Sequence, residues 1–180
     1  MKCAIELLFD DESQEKLNDL RKFLEENGVH NEAVPTNHIS IADVETENID
    51  VLKNVVEEFS KEIKPFEIVL VSAGSFMTSE NVLFYCPTMT EDLLKCNERI
   101  NEELKQKKLE CNKYYIKNNW FPHCTLAIRL SDEEVKRGLS LLKENNLLPL
   151  KVRCEKIDIL DYSNKPQYNQ IEIFDLNQKI

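Results

Sequence analysis

Two short segments set an imidazole and a hydroxyl two residues apart: Asn37-His38-Ile39-Ser40-Ile41 and Pro122-His123-Cys124-Thr125-Leu126. In an extended strand, alternate side chains share a face. His38 therefore projects with Ser40 and His123 with Thr125, while Ile39, Ile41, Cys124 and Leu126 turn the other way, into a core. Two imidazoles and two hydroxyls around one point suit a phosphodiester. Imidazole, with a pKa near about 6.5, can activate water or protonate a departing oxygen at neutral pH. Each such proton transfer contributes about 10²–10⁴-fold in rate. The hydroxyls can donate to the non-bridging oxygens, where charge builds in the transition state. No metal is required. A single His-x-Ser is commonly an ordinary strand residue, so the repetition carries the reading. The third histidine, His30, follows Gly28 in a polar loop and reads as surface.

The elements that must position these residues follow from hydrophobic periodicity. Cys3–Phe9 reads as a strand. Asp10 or Asp11 caps a helix bearing Leu17, Leu20 and Leu24, which Asn27-Gly28 ends. His38–Val44 reads as a strand, and Leu52, Val55, Val56, Phe59 and Ile63 form a second helical stripe stopped by Pro65. Phe66–Ser72 and Val82–Cys86 read as strands, with a turn at Gly74 between them. Thr90 then opens a helix with Leu93, Cys96, Ile100 and Leu104 on one face. His123–Leu130 reads as a strand, and Ser131 with Glu134 forms a capping box before Val135, Leu139 and Leu142. Val152–Leu160 and Ile171–Leu176 close the chain as strands. The order strand, helix, strand, helix, strand thus occurs twice, and the two histidines lie 85 residues apart, close to half of the 180-residue chain. An internal duplication explains both facts. It predicts one domain, 1–180, with pseudo-symmetric lobes of approximately 1–81 and 82–180.

Composition sets outer bounds. An apolar fraction of 42% and a charged fraction of 31% describe a globular chain, and the 3 Gly and 6 Pro exclude collagen-like and low-complexity classes. Residues 1–62 hold 6 Lys and Arg against 16 Asp and Glu, so the net charge of −10 sits in the first third. That balance disfavours wrapping a long duplex nucleic acid, which requires many phosphates to be neutralised. It leaves a small anionic ligand possible. The longest uncharged apolar stretch, Ile68 to Met77, is too short to cross a bilayer, so no membrane partner is expected. Cys3, Cys86, Cys96, Cys111, Cys124 and Cys154 are scattered without a C-x-x-C pair, the pattern of free thiols in a reducing, cytoplasmic compartment.

Trp120-Phe121-Pro122-His123-Cys124-Thr125-Leu126-Ala127, taken with His38-Ile39-Ser40-Ile41, resembles the two-histidine phosphoesterase superfamily. Within it, the chain is most similar to bacterial proteins of the 2'-5' RNA ligase family. The resemblance covers nearly the whole chain, and Pro-His-Cys-Thr-Leu-Ala is its most specific part. It implies an α+β, bilobal duplicated fold with two antiparallel β-sheets and flanking helices around a central cleft. It also implies metal-independent and cofactor-independent chemistry on 2',3'-cyclic phosphates or 2'-5' linkages at a nucleotide or RNA end. By matching positions, His38 and His123 would be the acid–base pair and Ser40 and Thr125 the phosphate ligands. Ser40 departs from the family's frequent Thr but keeps the hydroxyl.

Secondary features admit two readings each. Lys105, Lys107, Lys108, Lys113 and Lys117 could form an electropositive approach to the cleft, or could complement a helix C-terminus. Tyr114, Tyr115, Trp120 and Phe121 are candidates to stack on a base, Trp120 first among them, and Phe76 to line the cleft, although such aromatics commonly pack in a core. The expected protein is a monomeric phosphoric diester hydrolase with a nucleotide or RNA terminus as its substrate. The alternative is a non-catalytic module that binds such ends.

Overall fold

The structure, a computed structural model, describes residues 1–30, 36–76, 78 and 80–177. Among the described residues, seven strands and four helices follow the order β1 (Lys2–Phe9), α1 (Asp11–Glu26), β2 (His38–Glu45), α2 (Ile49–Glu62), β3 (Phe66–Phe76), β4 (Val82–Pro87), α3 (Glu91–Gln106), β5 (Cys124–Ala127), α4 (Asp132–Glu144), β6 (Leu150–Asp161) and β7 (Asn169–Asp175). The alternation read from the sequence is therefore present twice, with β7 added at the end.

Helix ends follow local chemistry. Asp10 accepts from the Ser13 N–H at 3.0 Å to start α1, and Thr90 accepts from the Leu93 N–H to start α3. Ser131 and Glu134 complete a reciprocal capping box on α4. Gly28 follows α1 with φ +82, and an added Cβ would lie 2.5 Å from the Arg137 guanidinium. The buried stripes Leu17/Leu20/Leu24, Leu52/Val55/Val56/Phe59 and Leu93/Cys96/Ile100/Leu104 join one continuous core.

All seven strands belong to one antiparallel sheet of order β2-β1-β6-β3-β4-β5, with β7 also on β6. This differs from the two separate sheets expected. The cause is the length of β6. Cys154 pairs with both Phe9 of β1 and Phe66 of β3, so those strands occupy opposite edges of β6. Beyond Lys156 the edge opposite β1 passes to β7. One strand thus joins into a single sheet what the sequence leads one to expect as two.

Two further expectations change. Gly74 lies inside β3, opposite Phe84, and not in a turn. A Cβ there would come within 3.0 Å of the Phe84 ring, so glycine lets that ring lie flat across the strand. β5 is shorter than expected, ending at Ala127, because Arg129 takes a left-handed φ of 58. No helix among the described residues is long and apolar enough to cross a membrane.

Candidate active site

The two motif strands share one construction. In β2, Glu6 pairs with Ser40 and Ile5 with Ala42, so Ile41 is an extra residue, a β-bulge. In β5, Phe84 pairs with Thr125 and Leu83 with Ala127, so Leu126 is the extra residue. The bulge falls at the same place in His38-Ile39-Ser40-Ile41-Ala42 and His123-Cys124-Thr125-Leu126-Ala127. Ile39, Ile41, Cys124 and Leu126 are all fully buried. Their burial, at about 2 kcal/mol for each large aliphatic side chain, fixes which face His38, Ser40, His123 and Thr125 present.

Each imidazole is clamped alike. His38 Nδ1 lies 2.9 Å from the Thr36 carbonyl, and His123 Nδ1 lies 2.9 Å from the Phe121 carbonyl. A carbonyl only accepts, so Nδ1 carries the hydrogen in both rings and Nε2 is the nitrogen left for proton transfer. The residue before His38 is locked in addition. Gln14 donates to the Asn37 carbonyl and accepts from the Asn37 N–H, at 2.8 and 3.0 Å. The Asn37 side chain, itself buried, donates to Gln14 and Asn18 and accepts from Arg21.

β2 and β5 end the sheet on opposite sides, yet they pack against each other. The His38 backbone N–H reaches the Cys124 thiol. Trp120, three residues before His123, donates its indole N–H to the Ser40 carbonyl at 3.0 Å. Asn97 of α3 donates to the Ile41 carbonyl, and the Asn112 N–H to that of Asp43. The free edge of β2 is thus tied to the second half of the chain.

The surroundings of the two rings differ. Around His123 stand Phe76, Phe84 and Phe121, with ring centroids at 4.9, 5.4 and 6.4 Å. Phe76 meets the imidazole edge to face and also packs on Phe84 at 4.4 Å. Phe121 is 51% exposed. His38 instead faces acids: its Nε2 lies 3.2 Å from Glu6 Oε1. The Ser40 hydroxyl lies 3.4 Å from that same oxygen. Burial lowers the pKa of both histidines. The Thr36 carbonyl and Asp158 oppose that at His38 while Arg21 adds to it. At His123 the Phe121 carbonyl opposes it, and the charge of His38 adds to it. Burial also pushes Glu6 up to about 8, and pushes Asp158, with help from Glu6, to about 7.

The other expected site residues are placed as follows. Phe76 ends β3 beside His123. Trp120 is half-buried against the core, with its N–H committed to Ser40. Tyr115 is half-buried; burial, reinforced by Asp43 and Glu6, raises its hydroxyl to about 12. Its carbonyl accepts from Asn97 and Asn101. Lys105 sits in the last turn of α3 and Lys107 caps it. Lys117 pairs with Glu98, and Lys113 lies over the Tyr114 ring. His30 is exposed, its N–H donating to Glu134. A cavity of about 680 Å³ lies between α3 and residues 108–117, and neither histidine lines it. Glu6, Asp158 and Phe84 carry no local sequence signal and come to the motifs through strand register, while Gln14 reaches Asn37 from α1.

Known proteins share this arrangement of elements. E. coli LigT, in its apo crystal structure, superposes with a TM-score of 0.66 at 15% identity, covering 98% of both chains. The MHV ns2 PDE domain superposes with a TM-score of 0.61 at 16% identity, over 98% of this chain and 100% of that one. In sequence, a Bacillus licheniformis protein provisionally named a phosphoesterase is 28% identical over 146 residues, 79% of this chain and 80% of its own. The pattern of one family spans residues 9–166, from the end of β1 through both motif strands and into the β6–β7 connection. On that match the chain belongs to the 2'-5' RNA ligase superfamily.

Proposed function

We propose that this protein is a metal-independent phosphodiesterase that opens a cyclic phosphate or a 2'-5' linkage at a nucleotide or RNA end. The observation that carries the reading is the matched pair of Nδ1–carbonyl clamps, which turns the Nε2 of each of two adjoining motifs away from its own backbone, that of His38 toward Glu6. One Nε2 removes a proton from the attacking water, and the other protonates the departing ribose oxygen. Ser40 and Thr125, each two residues beyond a histidine, donate to the non-bridging oxygens. The exposed Phe121, with Phe76 behind it, offers an apolar face to a nucleobase. The solved complexes of E. coli LigT with 3'-AMP and with phosphate are consistent with such a ligand.

The test is an EDTA-treated assay on the four nucleoside 2',3'-cyclic monophosphates and a short RNA with a 2',3'-cyclic end. Either His38→Ala or His123→Ala is expected to lower kcat at least about 10²-fold with folding retained. Near wild-type turnover by both folded variants would overturn the assignment.

A further inference from the structure

The acid group behind His38 is not part of the two motifs. Glu6 in β1 stands directly opposite Ser40 in β2 on one side and Asp158 in β6 on the other. Glu6 is 2% exposed and Asp158 is 0% exposed. Glu6 Oε1 faces His38 Nε2 and Ser40 Oγ, and Asp158 Oδ2 accepts from Gln170 of β7 at 2.6 Å. The remaining oxygen of each acid, Glu6 Oε2 and Asp158 Oδ1, is buried without a hydrogen-bond partner. A carboxylate oxygen in that position is costly, and a proton on the acid relieves the cost. Among the described residues, no three or more His, Cys, Asp or Glu side chains are arranged to hold a metal ion. Arg21 of α1, Tyr115 of the α3–β5 connection and Ser40 complete the charged and titratable surroundings. His123 has aromatic rings where His38 has acids.

We propose that Glu6, paired with Asp158, is a positioning residue that keeps a proton at His38 Nε2 and so makes His38 the acid and His123 the base. The inference rests on the phosphodiesterase reading for its catalytic half only. His38 Nδ1 donates to Thr36, so a bare Nε2 must receive the Glu6 Oε1 proton, or a protonated Nε2 must donate to a Glu6 carboxylate. Both states hold a proton between the two atoms. An anionic phosphodiester favours the second state. In the reaction, His123 Nε2 takes a proton from water as its oxygen bonds to phosphorus. The bond from phosphorus to the ribose oxygen breaks, and the Nε2–H of His38, shared until then with Glu6 Oε1, passes to that oxygen and leaves Nε2 bare. His123 then releases its proton to solvent, and the Glu6–Asp158 pair takes one back.

The first measurement needs no substrate: ¹⁵N imidazole titration of the whole protein by NMR. His38 is expected to hold its Nε2 proton to a higher pH than His123. In Glu6→Gln, which keeps the shape and can still donate to Nε2, the His38 midpoint is expected to fall by about one pH unit or more, a tenfold change in proton affinity. His123 should move little. The reverse order in the wild-type protein, or an unmoved His38 in Glu6→Gln, would overturn the proposal. If Glu6→Gln does not fold, the wild-type order still decides.

Kinetics supply the second arm. On a cyclic phosphate, whose alkoxide must be protonated, Glu6→Gln should lose about 10–100-fold in kcat with KM within about twofold. On a p-nitrophenyl phosphodiester, whose leaving group departs unprotonated, the loss should be under about threefold, while His123→Ala fails on both. Equal losses of Glu6→Gln on the two substrates would overturn the proposal. A wild-type protein inert towards every ester would refute the phosphodiesterase reading and leave the titration to decide the proton's place.

Discussion

Trp120→Phe separates a structural clamp from a base-stacking platform at the one tryptophan of the chain. The substitution keeps an aromatic face but removes the N–H that donates to the Ser40 carbonyl at 3.0 Å. Leaving a part-buried carbonyl without its donor costs about 1–3 kcal/mol. The smaller ring also leaves space against the core, worth about another 1 kcal/mol. The expected loss of stability is therefore about 2–4 kcal/mol, measured by urea denaturation followed by circular dichroism, since the fluorophore is gone. Ser40 carries both the released carbonyl and the hydroxyl proposed to hold the phosphate, so on that reading a small shift of β2 misplaces a reacting group. Misplacement on this scale costs about 10–100-fold in kcat, with KM for different bases nearly unchanged. A stacking residue predicts the opposite division, because phenylalanine still stacks. Stability within about 0.5 kcal/mol of wild type, together with an unchanged kcat, would refute the clamp.

Phe121→Ala removes a half-exposed ring; stability should stay within about 0.5 kcal/mol, while loss of a stacked base at about 1–3 kcal/mol should raise KM for nucleotides about 5- to 100-fold in steady-state kinetics. Gly74→Val drives a side chain into the Phe84 ring, 3.0 Å from the added Cβ; thermal denaturation should show a loss of about 1–3 kcal/mol, with weakened turnover because Phe84 backs His123. The pH dependence of stability has a definite sign. Glu6 is held at about 8 when folded against an ordinary 4.5, so the folded state keeps a proton that the unfolded chain gives up. Its contribution is complete below pH 4.5 and is lost as pH rises through about 8. Denaturation midpoints of the wild type should fall across that window more steeply than those of Glu6→Gln, and parallel curves would refute the protonated state.

The motif strands were legible because a period of two, repeated half a chain apart, needs only local pattern. The helices were legible from their caps and stripes. The acids were not. Glu6 stands alone in the apolar run Cys3–Phe9, and Asp158 alternates with Ile157 and Ile159 as a solvent-facing residue would. Only the pairing of β1 with β6 sets them side by side, and register between strands some 150 residues apart leaves no mark in either segment. Gly74 misleads for a related reason, since the ring that covers it comes from the neighbouring strand. The single sheet depends on β6 changing partners along one edge, which a count of strands does not reveal. Trp120 was legible as important but not in its role, because a hydrogen bond to a backbone carbonyl of another strand has no sequence signature.

The matched bulges at Ile41 and Leu126 make each motif a separable cassette. An inserted residue resets the inward–outward phase of a strand, so the three residues before it need not stay in step with those after it. Deleting Ile41 would leave Ile39 opposite Leu7, Ser40 opposite Glu6 and Ala42 opposite Ile5, a regular ladder with His38 still on the site face, so what is lost is the extra apolar anchor that Ile41 sets into the core. Drift in β2 beyond Ile41 therefore leaves the face of His38 and Ser40 unchanged, whereas the Thr36 and Phe121 carbonyls that clamp the two rings lie before the first residue of each motif and must be kept with it.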